Sequence, residues 1–179
     1  MVRALILADI DSIRWEGGSG EVDLILSLGD VSDCVILSAA ESFGAPPAFA
    51  VRGNHDIAGD FPEGISDLHM RTVEFLGLKF GGFCGSWRYK PKGFHMFDQD
   101  EATDLLKTLP ATDVLICHNS PRGIHDKLDD IHTGFDALNC YIEKHKPKLL
   151  LHGHQHANRE TVIGSTRVIG VYGQKVLEL

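Results

Sequence analysis

No long hydrophobic run is present in the sequence. The apolar stretch near its start, Ala4-Leu5-Ile6-Leu7-Ala8, is far shorter than the roughly 20 residues of a membrane span and too short for a signal-peptide core. Cysteine is scarce and unpaired in pattern. Cys34, Cys84, Cys117 and Cys140 stand singly with no C-x-x-C, so zinc-ribbon and thioredoxin readings fail. Each thiol reads as a small buried hydrophobe, and a reducing cytoplasm is the expected compartment. Positive charge is also short, with 17 Lys and Arg against 25 Asp and Glu and a formal charge of -8. Such a surface repels nucleic-acid and lipid phosphates at long range, so no stable nucleic-acid partner and no membrane are expected. Repeats, low-complexity tracts and linkers are absent.

What is present suits one domain over residues 1–179. The chain is 43% hydrophobic and 23% charged, enough apolar material for a substantial core. Short Val/Ile/Leu/Ala runs recur at 4–8, 24–26, 48–51, 114–117 and 149–151, the signature of strands buried on both faces. Helical spacing falls between them. Ile36, Ala39, Ala40 and Phe43 follow the i, i+3, i+4, i+7 pattern, and Gly44 is placed to stop the helix. Asp98 and Glu101 form a cap pair ahead of Ala102, Leu105, Leu106 and Leu109. Thr133 precedes a third helix carrying Phe135, Leu138, Tyr141 and Ile142 on one side, and Lys144-His145-Lys146 suits its negative pole. The segments 73–85 and 161–179 read as strands with Gly turns, Ile163-Gly164-Ser165-Thr166 being a hairpin. The expected fold is α/β, a four-layer α-β-β-α sandwich with two mixed sheets flanked by helices.

The informative feature is where Asp, Asn and His fall. Asp9 and Asp11 follow the first strand, Asp30 the second, and Asn54, His55 and Asp56 the third. His118 follows the run at 114–117, and His154 and His156 follow the run at 149–151. Parallel neighbouring strands would bring these residues to one sheet edge, where open α/β sheets bind ligands. Each signal alone is an ordinary turn or cap. Together, five donor clusters immediately after apolar runs exceed what turns require. The mixed carboxylate, amide and imidazole set suits Mn²⁺, Fe²⁺, Co²⁺ or Zn²⁺, and the missing thiolate argues against a structural zinc.

In order, Asp9-x-Asp11, Gly29-Asp30, Gly53-Asn54-His55-Asp56, an isolated His118 and Gly153-His154-Gln155-His156 resemble the pattern of the calcineurin-like metallophosphoesterase superfamily. The segment from Cys117 to Asp126 is similar to the branch of that superfamily containing brain-expressed phosphodiesterases. The resemblance implies two divalent metal ions bridged by Asp30. One is held by Asp9, Asp11, Asp30 and His156, the other by Asp30, Asn54, His118 and His154. Asp11 stands where the family normally has His. A carboxylate there enriches the site in charged oxygen and shifts the expected metal toward Mn²⁺, or Mg²⁺.

The implied reaction is phosphoester hydrolysis by a metal-bridging hydroxide, with the ions about 3.5–4 Å apart. Asn54 would bind metal and orient substrate. His55, paired with Asp56 or another carboxylate, would stabilise the phosphoryl oxygens or protonate the leaving alkoxide. Phosphodiesters or small phosphorylated metabolites, nucleotides among them, are the expected substrates. Selectivity is expected from loops at the same edge. Ser86 to His95 is basic and aromatic, either a rim that recognises substrate through Arg88 or a solvated loop whose aromatics cover the sheet. Arg122 and His125 are further candidates for substrate contact. His69, His95, His132 and His145 read as surface residues, and His152 is left outside the site. The rival function is a catalytically weak or inactive scaffold for protein interaction, for which the retromer subunit of the superfamily is a precedent. The residues set no oligomeric state.

Overall fold

The structure, a computed structural model, describes residues 1–10, 15, 17–127 and 129–179. The first half of the chain forms β1 (Arg3–Ala8), β2 (Leu24–Ser27), α1 (Asp33–Ser42), β3 (Ala48–Ala50) and β4 (Ile65–Asp67). It continues through β5 (Thr72–Phe75), β6 (Leu78–Phe83), β7 (Ser86–Trp87) and β8 (Met96–Phe97). The second half forms α2 (Gln99–Leu106), β9 (Val114–Cys117), α3 (Asp136–His145) and β10 (Leu149–His152). It ends in β11 (Arg159–Ile163), β12 (Thr166–Gly170) and β13 (Gly173–Glu178). No helix among the described residues is long and apolar enough to cross a membrane.

Of the two large sheets, the first has the order β13-β1-β2-β3-β4 and the second β11-β12-β10-β9-β6-β5, while β7 and β8 form a separate pair. In the first, β1 to β4 run parallel and β13 pairs antiparallel with β1. In the second, β6, β9, β10 and β12 are parallel, with β5 and β11 as antiparallel edges. Both sheets are therefore mixed. The strands read as unbroken apolar runs because each face meets a different layer. On β1, Ala4, Ile6 and Ala8 enter the core shared with the second sheet, together with Val114, Ile116, Leu149 and Leu151. Leu5 and Leu7 face the other way, onto Ile36 and Ala39 of α1. Leu115, Cys117 and Leu150 turn outward onto Leu106 of α2 and Leu138 and Tyr141 of α3. The result is the four-layer sandwich. Each fully buried Leu or Ile contributes about 1.5–3 kcal/mol of transfer free energy.

Two local details depart from the sequence reading, and one long-range pairing lies beyond it. The third helix starts at Asp136 rather than directly after Thr133, because Phe135 is still bridged to Pro121 and donates its N–H to Ser120. Cys34 and Cys140 are exposed and only Cys84 and Cys117 are buried; the first pair lies on the solvent sides of α1 and α3. The final strand leaves the second sheet and completes the first beside β1, a long-range pairing that no local pattern encodes.

Candidate metal centre

The carboxyl ends of β1, β2, β3, β9 and β10 converge, and each run of apolar residues stops where a metal-binding type of side chain begins. Asp9, Asp30, His154 and His156 all have positive φ, at 55°, 54°, 65° and 47°. Non-glycine residues adopt this conformation sparingly, Asp and His more readily than most, and such strain gathers at functional sites. It turns each side chain off the strand axis into the cleft. Gly29 and Gly53 allow the turns to nest: a Cβ on Gly29 would lie 2.6 Å from the Gly53 nitrogen, and one on Gly53 would collide with the Asp30 carboxylate.

Asp9, Asp30 and His118 are buried, each offering one ligand atom within 4.8 Å of the others. His118 Nδ1 donates to the Leu28 carbonyl at 2.9 Å. Its Nε2 then faces Asn54 Oδ1 at 3.0 Å and Asp30 Oδ2 at 3.4 Å. Three lone-pair carriers meeting in a buried place require a positive charge between them, supplied by a proton on Nε2 or by a cation that replaces it. The electrostatics say the same. Burial opposes a charged His118, yet Asp30 and then Asp9 outweigh it and carry the imidazole up to about 10. Burial likewise opposes an ionised Asp30, but His118, and less so His55, hold its carboxyl far below the ordinary range.

The remaining residues complete the cleft. The backbone N–H of His154 donates to both Asp9 oxygens, at 2.8 and 3.1 Å. Its Nε2 is 3.1 Å from the Ile131 carbonyl, which leaves Nδ1 as the lone-pair nitrogen. Burial and the neighbouring His118 charge keep this ring neutral, well below its usual value. Such a carbonyl anchor on a histidine is what fixes the tautomer of a metal ligand. His156 Nε2 lies 3.7 Å from Asp9 Oδ1, and its ring stacks on Tyr172 with centroids 5.0 Å apart. His55 is exposed, its Nδ1 3.6 Å from Asp30 Oδ2 and its N–H bonded to Asp30 Oδ1. The carboxylate paired with His55 is thus Asp30. Asp56 accepts the backbone N–H groups of Gly53 and Asp30 at 2.7 and 3.0 Å, locking the two turns together. Burial and the nearby Asp30 charge raise its carboxyl above the usual range. Asp11 lies outside the described residues. The donor set, its burial and its need for positive charge fit divalent cations held by oxygen and imidazole.

The three residues expected to touch substrate have other contacts. Arg88 bonds Asp98 and Glu101, at 3.2 and 2.9 Å, reinforcing the capping box of α2. Arg122 pairs with Asp136 at the start of α3. His125 sits between His152 Nε2 and Thr161 Oγ1, both at 2.9 Å, clasping its loop to β11. His152 is fully buried, and its burial holds it neutral, down to about 3. Other residues join the cleft without a sequence signal strong enough to mark them. His132, paired with Asp129, brings its ring to 5.1 Å from that of His154 and 6.3 Å from that of His156. Gln155 holds that segment down through the His132 carbonyl. Tyr89 reaches Asn54 from the β7–β8 loop. The only available sequence hint was the basic, aromatic composition around Tyr89.

Across residues 10–171 the sequence matches the model of the calcineurin-like phosphoesterase superfamily domain, and the chain belongs to that superfamily. Solved structures that share its fold include the following three. The protein TT1561 of Thermus thermophilus superposes with a TM-score of 0.65 at 15% identity, covering 96% of this chain and 89% of that one. Phosphopantetheinyl hydrolase (PptH) from Mycobacterium tuberculosis gives 0.61 at 12% identity, with coverages of 95% and 89%. A single mutant of Vps29 from Entamoeba histolytica gives 0.52 at 12% identity, with coverages of 99% and 86%. No curated protein matches the sequence.

Proposed function

We propose that this protein is a binuclear metal-dependent phosphoesterase acting on phosphodiesters or small phosphate esters, nucleotides among them. The observation that carries the reading is the buried convergence of Asp9, Asp30, His118 and Asn54, four lone-pair carriers around a place demanding positive charge. Asp30 would be shared between two ions. Asp9 and His156, with Asp11 as the proposed fourth donor, would hold one; Asn54, His118 and His154 would hold the other. The chemistry such cations supply is a lowered pKa for water and positive charge opposite the phosphoryl oxygens. Mn²⁺ suits this oxygen-rich set first, with Fe²⁺, Co²⁺, Zn²⁺ and Mg²⁺ as alternatives.

The protein's own contribution is orientation and proton transfer. Asp56 fixes the two turns that present Asp30 and Asn54. His118 is held by Leu28 so that only Nε2 faces the cleft. His55, exposed on the same turn as Asn54, would meet the phosphoester and pass a proton to the departing oxygen, a contribution of about 10²–10⁴ in rate. One of the similar folds is, by name, a phosphopantetheinyl hydrolase, and that name accords with phosphoester chemistry. The free cysteines accord with a cytoplasmic location. The test is turnover of bis-p-nitrophenyl phosphate and p-nitrophenyl phosphate by purified protein across these five metals. Metal-dependent release that His55→Ala removes while metal stoichiometry stays at two is the expected result. No turnover with any metal would move the assignment to an interaction scaffold built on the same fold.

A further inference from the structure

We infer that Tyr89 is a phosphate-binding residue of this site, donating its phenolic O–H to a phosphoryl oxygen of the substrate; the inference rests on the phosphoesterase reading above. Asn54 Nδ2 donates to the Tyr89 oxygen at 3.2 Å, while Asn54 Oδ1 faces His118 at 3.0 Å. The amide is thereby fixed with its oxygen toward the metal-binding carboxylates and its nitrogen toward the phenol. Tyr89 oxygen has accepted one hydrogen bond, and its own hydrogen has no acceptor among the described residues. A hydroxyl that accepts from an amide is a better donor for having done so. Tyr89 is half-buried, so this hydrogen is open to an acceptor from outside, beside a residue proposed to bind both metal and substrate. A phosphoryl oxygen meets that description.

The backbone around Tyr89 is held at both ends, so its position is built rather than incidental. Just before it, Arg88 is bonded to Asp98 and Glu101 of the α2 capping box, and its N–H is bonded to Phe97. On the far side of the loop, His95 Nε2 is 3.1 Å from the carbonyl of Ile57, two residues beyond His55. The loop is thereby tied to the segment that carries the proposed proton donor. Lys90 Nζ lies 5.1 Å from the centre of the Tyr89 ring. It adds a positive charge beside the phenol in a chain whose net charge is negative, which favours an anion at this point.

Tyr89→Phe removes the hydroxyl and nothing else. The experiment is calorimetric binding of inorganic phosphate to Mn²⁺-loaded wild type and variant, with Mn²⁺ titrations of both and steady-state kinetics on p-nitrophenyl phosphate. Phosphate binding should weaken about 10- to 100-fold, the worth of one hydrogen bond to a charged group. KM should rise with it, while Mn²⁺ affinity and stoichiometry stay unchanged. Equal phosphate binding by wild type and variant would overturn the role of Tyr89 alone. A loss of Mn²⁺ affinity in Tyr89→Phe would overturn it too, by showing that the hydroxyl acts only through Asn54. Wild type that binds Mn²⁺ but no phosphate would instead refute the phosphoesterase reading, and the role of Tyr89 with it.

Discussion

A buried imidazole whose nitrogens face a carbonyl on one side and a carboxylate on the other is either doubly protonated or bound to a cation. For His118 this has a measurable consequence. Without metal, the folded protein keeps its proton up to about 10, whereas an ordinary histidine loses it near 6.5. The native state then binds more protons than the unfolded state across that interval. Stability from this pair is complete below about 6.5 and is lost as pH rises toward 10. Asp30 acts at the acid end: its carboxyl is depressed below 3.8, so its contribution is present above that value and lost as pH falls through the folded one. Chelator-treated protein should thus show a thermal midpoint that declines through the alkaline range, and His118→Gln should flatten the decline. Mn²⁺ should raise the midpoint more at about pH 8 than at about pH 6, because metal competes with the proton on Nε2. A midpoint independent of pH in chelator would sink this account.

At the same scale, the Gly-Asn-His-Asp and Gly-His-x-His residues were legible because their chemistry interrupts apolar runs. Tyr89 and His132 were not. Their approach to Asn54 and to the His154 ring depends on loop paths set by distant anchors, Glu101 for one and Asp129 with Gln155 for the other. Spacing along the chain carries no trace of such anchors.

At the scale of elements, the question is what fixes the turn after β3, from which three proposed site residues project. Arg52 answers it. Its guanidinium bonds both oxygens of Asp33, at 2.6 and 3.2 Å, in the first turn of α1. The same group lies 3.6 Å over the Phe61 ring. The Arg52 side chain is only 5% exposed, and Asp33 is the carboxylate that pairs with it. Asp33→Ala should cost about 3–5 kcal/mol, since it strands a buried cation. Arg52→Met leaves only the more exposed Asp33 unpaired and should cost less. Denaturant unfolding of the two variants decides it, and equal losses would show that burial of the cation is not what matters. Helix positions were largely readable at this scale, the Asp98–Glu101 box in particular. The start of α3 was not, because the bridge between Pro121 and Phe135 postpones the first helical turn beyond the polar residue that would have capped it.

Over the whole molecule, the two sheets supply different halves of the site. Asp9, Asp30 and Asn54 follow strands of the first sheet, and His118, His154 and His156 follow strands of the second. Both sheets share one apolar core, and β13 crosses from the second sheet to pair with β1. Apart from that core and crossing, contacts such as His154 N–H to Asp9 and His118 to Asp30 are what hold the sheets in register at the cleft. A cation bound by ligands from both sheets adds a cross-link that the unfolded chain cannot offer. Metal at 100 times its dissociation constant should then stabilise the native state by about 2.7 kcal/mol. For a chain of this size that is a rise in thermal midpoint of roughly 5–10 °C. Asp30→Asn, altering the residue proposed to bridge both ions, should abolish most of the rise, and His55→Ala, altering a residue assigned no metal, should keep it. Differential scanning fluorimetry with and without Mn²⁺ reads both. If His55→Ala lost the shift and Asp30→Asn kept it, the division of labour between the turns after β2 and β3 would have to be reversed.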